Sequence, residues 1–149
     1  MSTTDINRQI VEKYWDHYFR KDWKKVALFY TDDANYTDVG VDPVGANGPA
    51  EIIARLRMGI DPTSSYEHQC RHIIAQGNIV MTEHVEVWGF KTGERFEHAF
   101  VSVMEIRDGK IARWHDYSHC ANIFNNAPAW WLEHVRKGWR DQIIPIDQL

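Results

Sequence analysis

The stretch TEHVEVWGFKTGERFEHAFVSVMEIRDGKIARWHDY, residues 82–117, alternates apolar and polar residues in three segments separated by two turn signals. These signals are Thr92-Gly93 and Asp108-Gly109, and Asp-Gly is a preferred pair for a two-residue hairpin of type I′. Another extended segment precedes this stretch and ends at a third turn signal, Gly77-Asn78. The pattern predicts four antiparallel strands, over residues 65–76, 79–90, 95–106 and 110–118.

The residues before these strands have helical periodicity. Thr4-Asp5 supplies an N-cap, and apolar residues then recur at helical spacing as far as Phe19. Pro49 stands at the first position of another helical pattern, where its missing N–H costs nothing. The elements predicted before the long strands are a helix over 6–19, a short helix over 23–30, a strand over 34–39 and a helix over 50–58.

Helices followed by a meander of antiparallel strands are typical of an α+β fold. A final helix is predicted from Pro128 onward, and its tryptophans either pack it onto the core or make it a lid over a pocket. No repeat, low-complexity segment or linker interrupts the chain. We therefore predict a single domain over residues 1–149.

Composition argues against several classes of function. The chain has 149 residues and a formal net charge of −4, without the run of Lys and Arg that nucleic acid or an anionic membrane would require. No long apolar segment is present, so we expect a cytoplasmic protein. Cys70 and Cys120 are too few for a disulfide framework and are interpreted as buried thiols. Seven tryptophans are many for this length, so either all serve the core or some line a cavity or an interface.

Counting outward from the two hairpin turns places polar residues on one face of the sheet. The count sets Val101 opposite both His84 and Asp116, and Ala99 opposite Glu86. His84 and Asp116 then flank Val101, roughly 10 Å apart between backbones. Their apolar neighbours favour a raised carboxyl pKa and an imidazole that exchanges protons. The predicted face contains Thr82, His84, Glu86, Trp88, Ala99, Val101, Val103, Trp114 and Asp116.

The opposite face of the predicted sheet is apolar as well. Helices cover only one face of such a sheet, so the spare face predicts a homodimer or a higher homo-oligomer. A register slip of one residue would exchange the two faces. The residues predicted on the spare face are Val85, Val87, Phe100, Met104, Ile106, Ile111 and Tyr117.

The segments FYTDDANYTD, residues 29–38, and DGKIARWHDYSH, residues 108–119, together with the stretch quoted above, resemble the NTF2-like, or cystatin-like cone, superfamily. The resemblance covers almost the whole chain. Within the superfamily the sequence is most similar to the branch of limonene-1,2-epoxide hydrolase and the SnoaL-like polyketide cyclases. This resemblance implies N-terminal helices packed on a strongly curved antiparallel sheet, one enclosed pocket and a C-terminal helix.

The resemblance also implies roles for individual residues. The aspartate that activates water in the epoxide hydrolases falls on Asp116, their arginine falls on His84, and their acidic aspartate falls on Glu86. The tyrosine and asparagine that hold the water fall on Tyr36 and Asp38. Only Asp116 and Tyr36 keep the residue type of the family pattern.

The replaced residues favour proton transfer over epoxide opening. An arginine is permanently charged, whereas a histidine gives and takes a proton near neutral pH. A histidine beside Asp and Tyr is more similar to the eliminating members of the superfamily, such as scytalone dehydratase, the bile acid dehydratase and the sphingomonad diarylpropane formaldehyde-lyases. The resemblance thus implies a cofactor-independent lyase that removes water, with or without C–C cleavage releasing formaldehyde. Its substrate would be a hydroxylated aromatic or polycyclic molecule, such as a lignin-derived diarylpropane.

Two sets of site residues follow from these arguments, and structural alternatives stay open for them: an ion pair for Asp116, a core position for His84 and the aromatic residues, a solvated rim position for Glu86, and a strand end with a turn aspartate for Tyr36 and Asp38. No cofactor is predicted, and no metal site, because histidines four residues apart on a strand lie about 13 Å from each other. An epoxide hydrolase and a non-catalytic, dimeric binding module stay open as alternatives. The predicted catalytic residues are Asp116, His84, Asp38, Tyr36 and Glu86, and the predicted substrate-binding residues are Trp88, Trp114, Val101, Tyr14 and Trp130.

Overall fold

The computed structural model describes residues 1–149, and its first helix begins at a capping box. Ser2 Oγ accepts a hydrogen bond from the backbone N–H of Asp5, and the Asp5 carboxylate accepts one from the N–H of Ser2. This reciprocal pair satisfies two otherwise free donors at the helix start. The cap is therefore Ser2, and the prediction of Thr4-Asp5 as the N-cap was wrong.

Three helices and two strands precede the four long strands, and two short helices follow them. The long strands of the predicted meander begin and end within about one residue of their predicted bounds, whereas a two-residue strand and a short helix after the meander had not been predicted. The helices are α1 (Thr3–Phe19), α2 (Trp23–Ala27), α3 (Gly48–Ile60), α4 (Ala121–Asn126) and α5 (Ala129–Arg136), and the strands are β1 (Tyr30–Asp38), β2 (Ala46–Asn47), β3 (Ser65–Gln76), β4 (Ile79–Gly89), β5 (Arg95–Arg107) and β6 (Lys110–Ser118).

All six strands form one curved sheet in the order β2-β1-β6-β5-β4-β3. Only β1 and β6 are parallel neighbours, and every other pair is antiparallel. Helix α1 packs on β3 and β4 and helix α3 packs on β1, so one face of the sheet is covered and encloses the core. This confirms the predicted α+β cone. No helix combines the length and the apolar character needed to cross a bilayer.

A bulge shifts the register between β5 and β6. Arg107 pairs with Lys110 as expected, but Glu105 pairs with Arg113, so Ala112 is one extra residue on β6. From the bulge onward every partner is displaced by one position.

The turn before β5 also shifts the register by one residue, between β4 and β5. Gly89 pairs with Arg95, and the N–H of Gly93 donates to the carbonyl of Phe90 over 2.9 Å, so the turn is longer than the two residues assumed. Gly93 adopts a φ of 101°, which only glycine tolerates easily.

The predicted strand partners were wrong because of these two irregularities. Asp116 lies opposite Ser102, His84 lies opposite Phe100, and Glu86 lies opposite His98. Val101 and Ala99 point to the outer face instead.

The two faces of the sheet differ accordingly from the prediction. Four residues assigned to the spare face lie in the core, namely Phe100, Met104, Ile106 and Ile111. Along β5 the outer face carries Ala99, Val101 and Val103 in their place, beside Tyr117, whose residue surface is 48% exposed. Both cysteines are free and only partly buried, which corrects the prediction of buried thiols.

Candidate active site

A cavity of about 360 Å³ lies between the concave face of the sheet, α3 and the C-terminal segment. Its volume falls within the usual range for small-molecule sites, roughly 300–1,000 Å³. More than half of the residues around it are hydrophobic, and seven aromatic residues form much of its wall: Tyr18, Tyr36, Trp88, Phe100, Phe124, Trp131 and Trp139. The cavity therefore suits a largely apolar ligand.

Asp116 is a buried carboxyl group of the cavity, with 9% of its surface exposed. Its Oδ1 accepts hydrogen bonds from Ser102 Oγ and Trp114 Nε1, each over 2.5 Å, and its Oδ2 accepts one from the Tyr36 hydroxyl over 3.4 Å. Burial raises the pKa of Asp116 well above its ordinary value, and the nearby charge of Asp38 adds to this. The hydrogen bonds from Ser102 and Trp114 lower the pKa without reversing the shift. Asp116 is thus a carboxyl group that holds its proton unusually firmly.

Glu86 is a second buried carboxyl group in the same cavity, and only 5% of its surface is exposed. Its carboxylate accepts a hydrogen bond from the hydroxyl of Tyr66, which is its neighbour on β3. Burial raises the pKa of Glu86 to about 7, against the opposing effect of the Tyr66 hydrogen bond. At neutral pH the group is therefore divided between its two protonation states, which is the condition for efficient acid or base catalysis.

His98 faces the cavity from β5, directly opposite Glu86 in the strand register. Side chains at such positions have Cβ atoms about 4.5–5.5 Å apart. Burial lowers the pKa of His98, so the imidazole is neutral at pH 7. A neutral base and a half-protonated acid consequently stand side by side.

Asp38 forms an ion pair inside the cavity with Arg55 of α3. Arg55 Nη2 donates to Asp38 Oδ2 over 2.5 Å, and the guanidinium lies 5.9 Å from the centre of the Tyr36 ring. The register of the parallel strands puts Asp38 directly beside Asp116. Arg55 therefore compensates one of the two neighbouring negative charges.

The structure does not bring His84 into the cavity. The side chain is completely buried behind Phe100, with the two rings stacked at 4.6 Å. Its Nδ1 lies 2.6 Å from His68 Nε2, and its Nε2 lies 2.5 Å from Thr82 Oγ1. Burial lowers the pKa of His84 to about 4. Both ring nitrogens thus have partners inside the protein.

Four of the five predicted catalytic residues do line the cavity: Asp116, Asp38, Tyr36 and Glu86. Of the predicted substrate-binding residues, Trp88 lines the cavity and Trp114 lies behind Asp116 as a hydrogen-bond donor.

The other three predicted binding residues lie elsewhere. Val101 is on the outer face of the sheet. Tyr14 is in the core, where its hydroxyl is 2.7 Å from that of Tyr30. Trp130 donates to Thr92 Oγ1 over 2.9 Å, outside the cavity. Its neighbour Trp131 lines the cavity instead, and its indole N–H donates to the carbonyl of Gly59.

Arg55 and His98 are the functional candidates that the sequence analysis missed. His98 was not considered, because the register error puts the even-numbered residues of β5, such as Phe100, on the spare face. Arg55 carried a signal, because it interrupts the apolar helical pattern three residues after Ile52 and three before Met58, on the face that packs inward. A charged residue at that spacing indicates a buried ionic contact.

The curved sheet, its helical cover and the cavity with buried ionisable groups define a cone-fold protein with a site for a small hydrophobic ligand. Residues 11–114 match the family model of the SnoaL-like domain, and the chain belongs to this family. Proteins of the family are generally enzymes, among them cyclases, isomerases and epoxide hydrolases. The resemblance to the NTF2-like superfamily is thereby confirmed.

Solved structures similar to this chain have the same fold. An LEH-like epoxide hydrolase from M. tuberculosis is 24% identical, with a TM-score of 0.71 over 83% of this chain and 90% of its own. A protein from Shewanella putrefaciens described as a SnoaL-like polyketide cyclase is 15% identical, with a TM-score of 0.70 over 80% of this chain and 84% of its own. An NTF2-like protein of unknown function from Burkholderia pseudomallei is 21% identical, with a TM-score of 0.74 over 87% of this chain and all of its own.

Proposed function

We propose that the protein is a cofactor-independent lyase that eliminates water from a hydroxylated aromatic or polycyclic molecule. One observation carries the proposal: Glu86, with a pKa of about 7, stands opposite the neutral imidazole of His98 in an apolar cavity. Elimination needs a base and an acid that act together at one pH, and this pair supplies both.

The reaction consists of one proton removal and one proton delivery. Neutral His98 takes a proton from the carbon next to the one that bears the hydroxyl group, and the electron pair of that C–H bond forms a C=C bond. The C–O bond breaks, and protonated Glu86 gives its proton to the departing oxygen, so that water leaves. Transfer of the proton from the imidazolium to the Glu86 carboxylate restores both groups.

Asp116 and Tyr36 position the substrate in this scheme. Burial raises the pKa of Asp116 and so favours its protonated form, which donates a hydrogen bond to a substrate oxygen. The rings of Trp88, Phe100 and Trp131 supply the surfaces on which flat aromatic groups pack. A lignin-derived diarylpropane is a substrate of this kind. Its hydroxymethyl group would leave as formaldehyde if His98 takes the proton of that hydroxyl group in place of a C–H proton, so that the electron pair of the broken C–C bond forms the C=C bond as water leaves.

Mass spectrometry of products tests the proposal directly. The purified protein is incubated with hydroxylated diaryl and polycyclic compounds, and we expect a product that has lost the mass of one water, or of water plus formaldehyde. His98→Gln should abolish this product, whereas His72→Gln, at an exposed histidine outside the cavity, should not. Tight binding with no mass change across the panel would instead favour a binding module.

An epoxide hydrolase is the second candidate, because Arg55 brings an arginine–carboxylate pair to Asp38 beside Asp116. This pair offers a permanent positive charge for an epoxide oxygen while a neighbouring carboxyl group activates water. Epoxides incubated in ¹⁸O-labelled water distinguish the two functions. A diol that has gained one labelled water supports the hydrolase, and an unchanged epoxide together with dehydration of alcohols supports the lyase.

The outer face of the sheet supports the proposal of a homodimer. Val101 and Val103 are only partly covered there, and Tyr117 is 48% exposed. A second copy would cover this apolar strip. Sedimentation equilibrium should give twice the chain mass, and Val101→Lys should shift the protein to a monomer, because a charge would then be buried at the centre of the contact.

A further inference from the structure

The C-terminal segment adds two arginines to the mouth of the cavity. Arg136 at the end of α5 and Arg140 in the following 3₁₀ turn both line the cavity and are both exposed. Arg140 lies over the ring of Trp139 at 4.5 Å, and its Nη2 is 3.9 Å from Asp42 Oδ2. Arg136 has no carboxylate within ion-pair distance.

Charge is unevenly distributed along the depth of the cavity. In the deep part, Arg55 compensates Asp38, and burial raises the pKa values of Glu86 and Asp116. Burial favours the uncharged form of both groups, so the deep part carries less negative charge than its three carboxyl groups would otherwise give it.

The mouth, by contrast, has a net positive charge. Two arginines face a single carboxylate there, that of Asp42, in a chain whose formal net charge is −4. A positive mouth on a negatively charged protein is a local feature, and a local field of this kind concentrates ligands of the opposite sign.

We infer that the substrate carries a carboxylate that Arg136 and Arg140 bind at the mouth while its aromatic body enters the cavity. The excess of one positive charge matches one negative charge on the ligand, and the planar guanidinium forms paired hydrogen bonds with a carboxylate. The inference deepens the proposed function, on which it rests in taking this cavity as the substrate site. Because both arginines are exposed, solvent and salt weaken the contact, and an effect of about tenfold on affinity is expected rather than a larger one.

Two probes of the same shape isolate the effect of charge. The dissociation constants of 2-naphthoate and of neutral 2-naphthamide are measured by quenching of tryptophan fluorescence, since Trp88, Trp131 and Trp139 line the cavity. The wild-type protein should bind the acid about tenfold more tightly than the amide, and added sodium chloride should weaken binding of the acid alone.

Variants identify the groups responsible. The Arg136→Gln, Arg140→Gln double variant should bind acid and amide equally, because both positive charges at the mouth are gone. Arg71→Gln serves as the matched control, since Arg71 is also exposed and does not line the cavity. This control should keep the preference for the acid, and melting curves show that each variant is folded.

Three results overturn the inference: equal binding of acid and amide by the wild type, no binding of the acid, or a preference that survives in the double variant. Binding of these probes involves no turnover, so the result does not depend on whether the protein is a lyase. Dehydration of neutral alcohols with no preference for the acid would leave the proposed function standing while this inference falls.

Discussion

Replacement of Asp116 by Asn is expected to remove most of the activity and at the same time to stabilise the fold at alkaline pH. An asparagine keeps the shape of the side chain, and its Oδ1 still accepts hydrogen bonds from Ser102 and Trp114. Its amide nitrogen takes the place of Oδ2 and donates to the Tyr36 hydroxyl, which acts as the acceptor. What disappears is the negative charge that burial makes costly.

The sign of the stability change follows from proton linkage. In the folded state the pKa of Asp116 lies well above the ordinary aspartate value of 3.8. Below that value both states are protonated and the side chain contributes no pH dependence. As the pH rises, the unfolded chain loses its proton first, so the wild-type fold loses stability until the folded-state pKa has been passed. The asparagine of the variant does not titrate, and its advantage therefore grows from near zero at about pH 4 to its full value at alkaline pH.

The expected magnitude is moderate. A buried polar group without full compensation costs about 1–3 kcal/mol, and each kcal/mol moves the melting temperature of a chain of this size by about 2–4 °C. Thermal unfolding followed by circular dichroism should therefore show Asp116→Asn melting roughly 3–10 °C above the wild type at pH 8. Turnover of the substrate should fall by about tenfold, because the hydrogen bond from Asp116 to the substrate contributes up to about 1.5 kcal/mol.

A matched variant at an exposed aspartate, whose pKa is lowered instead of raised, serves as the control. Asp33 is exposed, and its hydrogen bonds with Thr31 and Arg107 lower its pKa, so Asp33→Asn should give no stabilisation at pH 8 and leave turnover unchanged. The reasoning about Asp116 is refuted if Asp116→Asn melts below the wild type at pH 8, or if its advantage is the same at pH 4. Near-full turnover by this variant would remove Asp116 from the mechanism.

Three further measurements test the rest of the site. Glu86→Gln should remove the ionisation near pH 7 from the pH profile of kcat/KM, because the pKa of Glu86 is about 7; a profile that keeps it would assign that ionisation to another group. His98→Gln should lower kcat by about 10²–10⁴-fold with an unchanged melting temperature, whereas an equal loss in His72→Gln would point to a general effect of the substitution. The lowered pKa of His84 should remove up to about 3 kcal/mol of stability in urea as the pH drops from 6.5 to 4, since the unfolded chain binds more protons at this residue in that window. The raised pKa values of Glu86 and Asp116 change stability in the opposite direction, so the comparison with a His84 variant isolates the effect. His84→Gln should lose less over the same window, and an identical slope would exclude His84 as the cause.

Turn chemistry made the strands predictable. Asp108-Gly109 and Gly77-Asn78 bracket strands that begin and end almost where the sequence predicts, because the conformation of a two-residue turn is decided by the residues within it. The alternation of side chains between the two faces of a single strand was also predicted correctly. Glu86 and Trp88 on β4 share a face with Asp116 on β6, as expected.

The partners across strands were not predictable in the same way. The bulge at Ala112 and the longer turn around Gly93 each add one residue, and both errors fall on β5. Strand β4 kept its faces, and so did β6 beyond the bulge, while β5 exchanged Val101 for Phe100 and Ser102. Ile111, which lies before the bulge on β6, also changed face and lies in the core. A bulge is coupled to the bend and twist of the whole sheet, so the local sequence does not reveal where it lies.

His84 shows a second limit of prediction from sequence. Strand register gives the face on which a residue lies, but it does not give the depth of that residue in the cone. His84 is on the predicted face, yet Trp15 of α1 covers it with ring centres 4.4 Å apart, and Phe100 closes it off from the cavity. The rings of α1 fill the narrow end of the cone, so ionisable groups there are packed against protein rather than exposed to ligand. Glu86 lies two residues further along the same strand, beyond the aromatic rings of α1, and lines the cavity. His84 and Glu86 thus lie on the same face of β4, yet His84 is a structural residue and Glu86 a catalytic candidate, because the aromatic residues of α1 cover only His84.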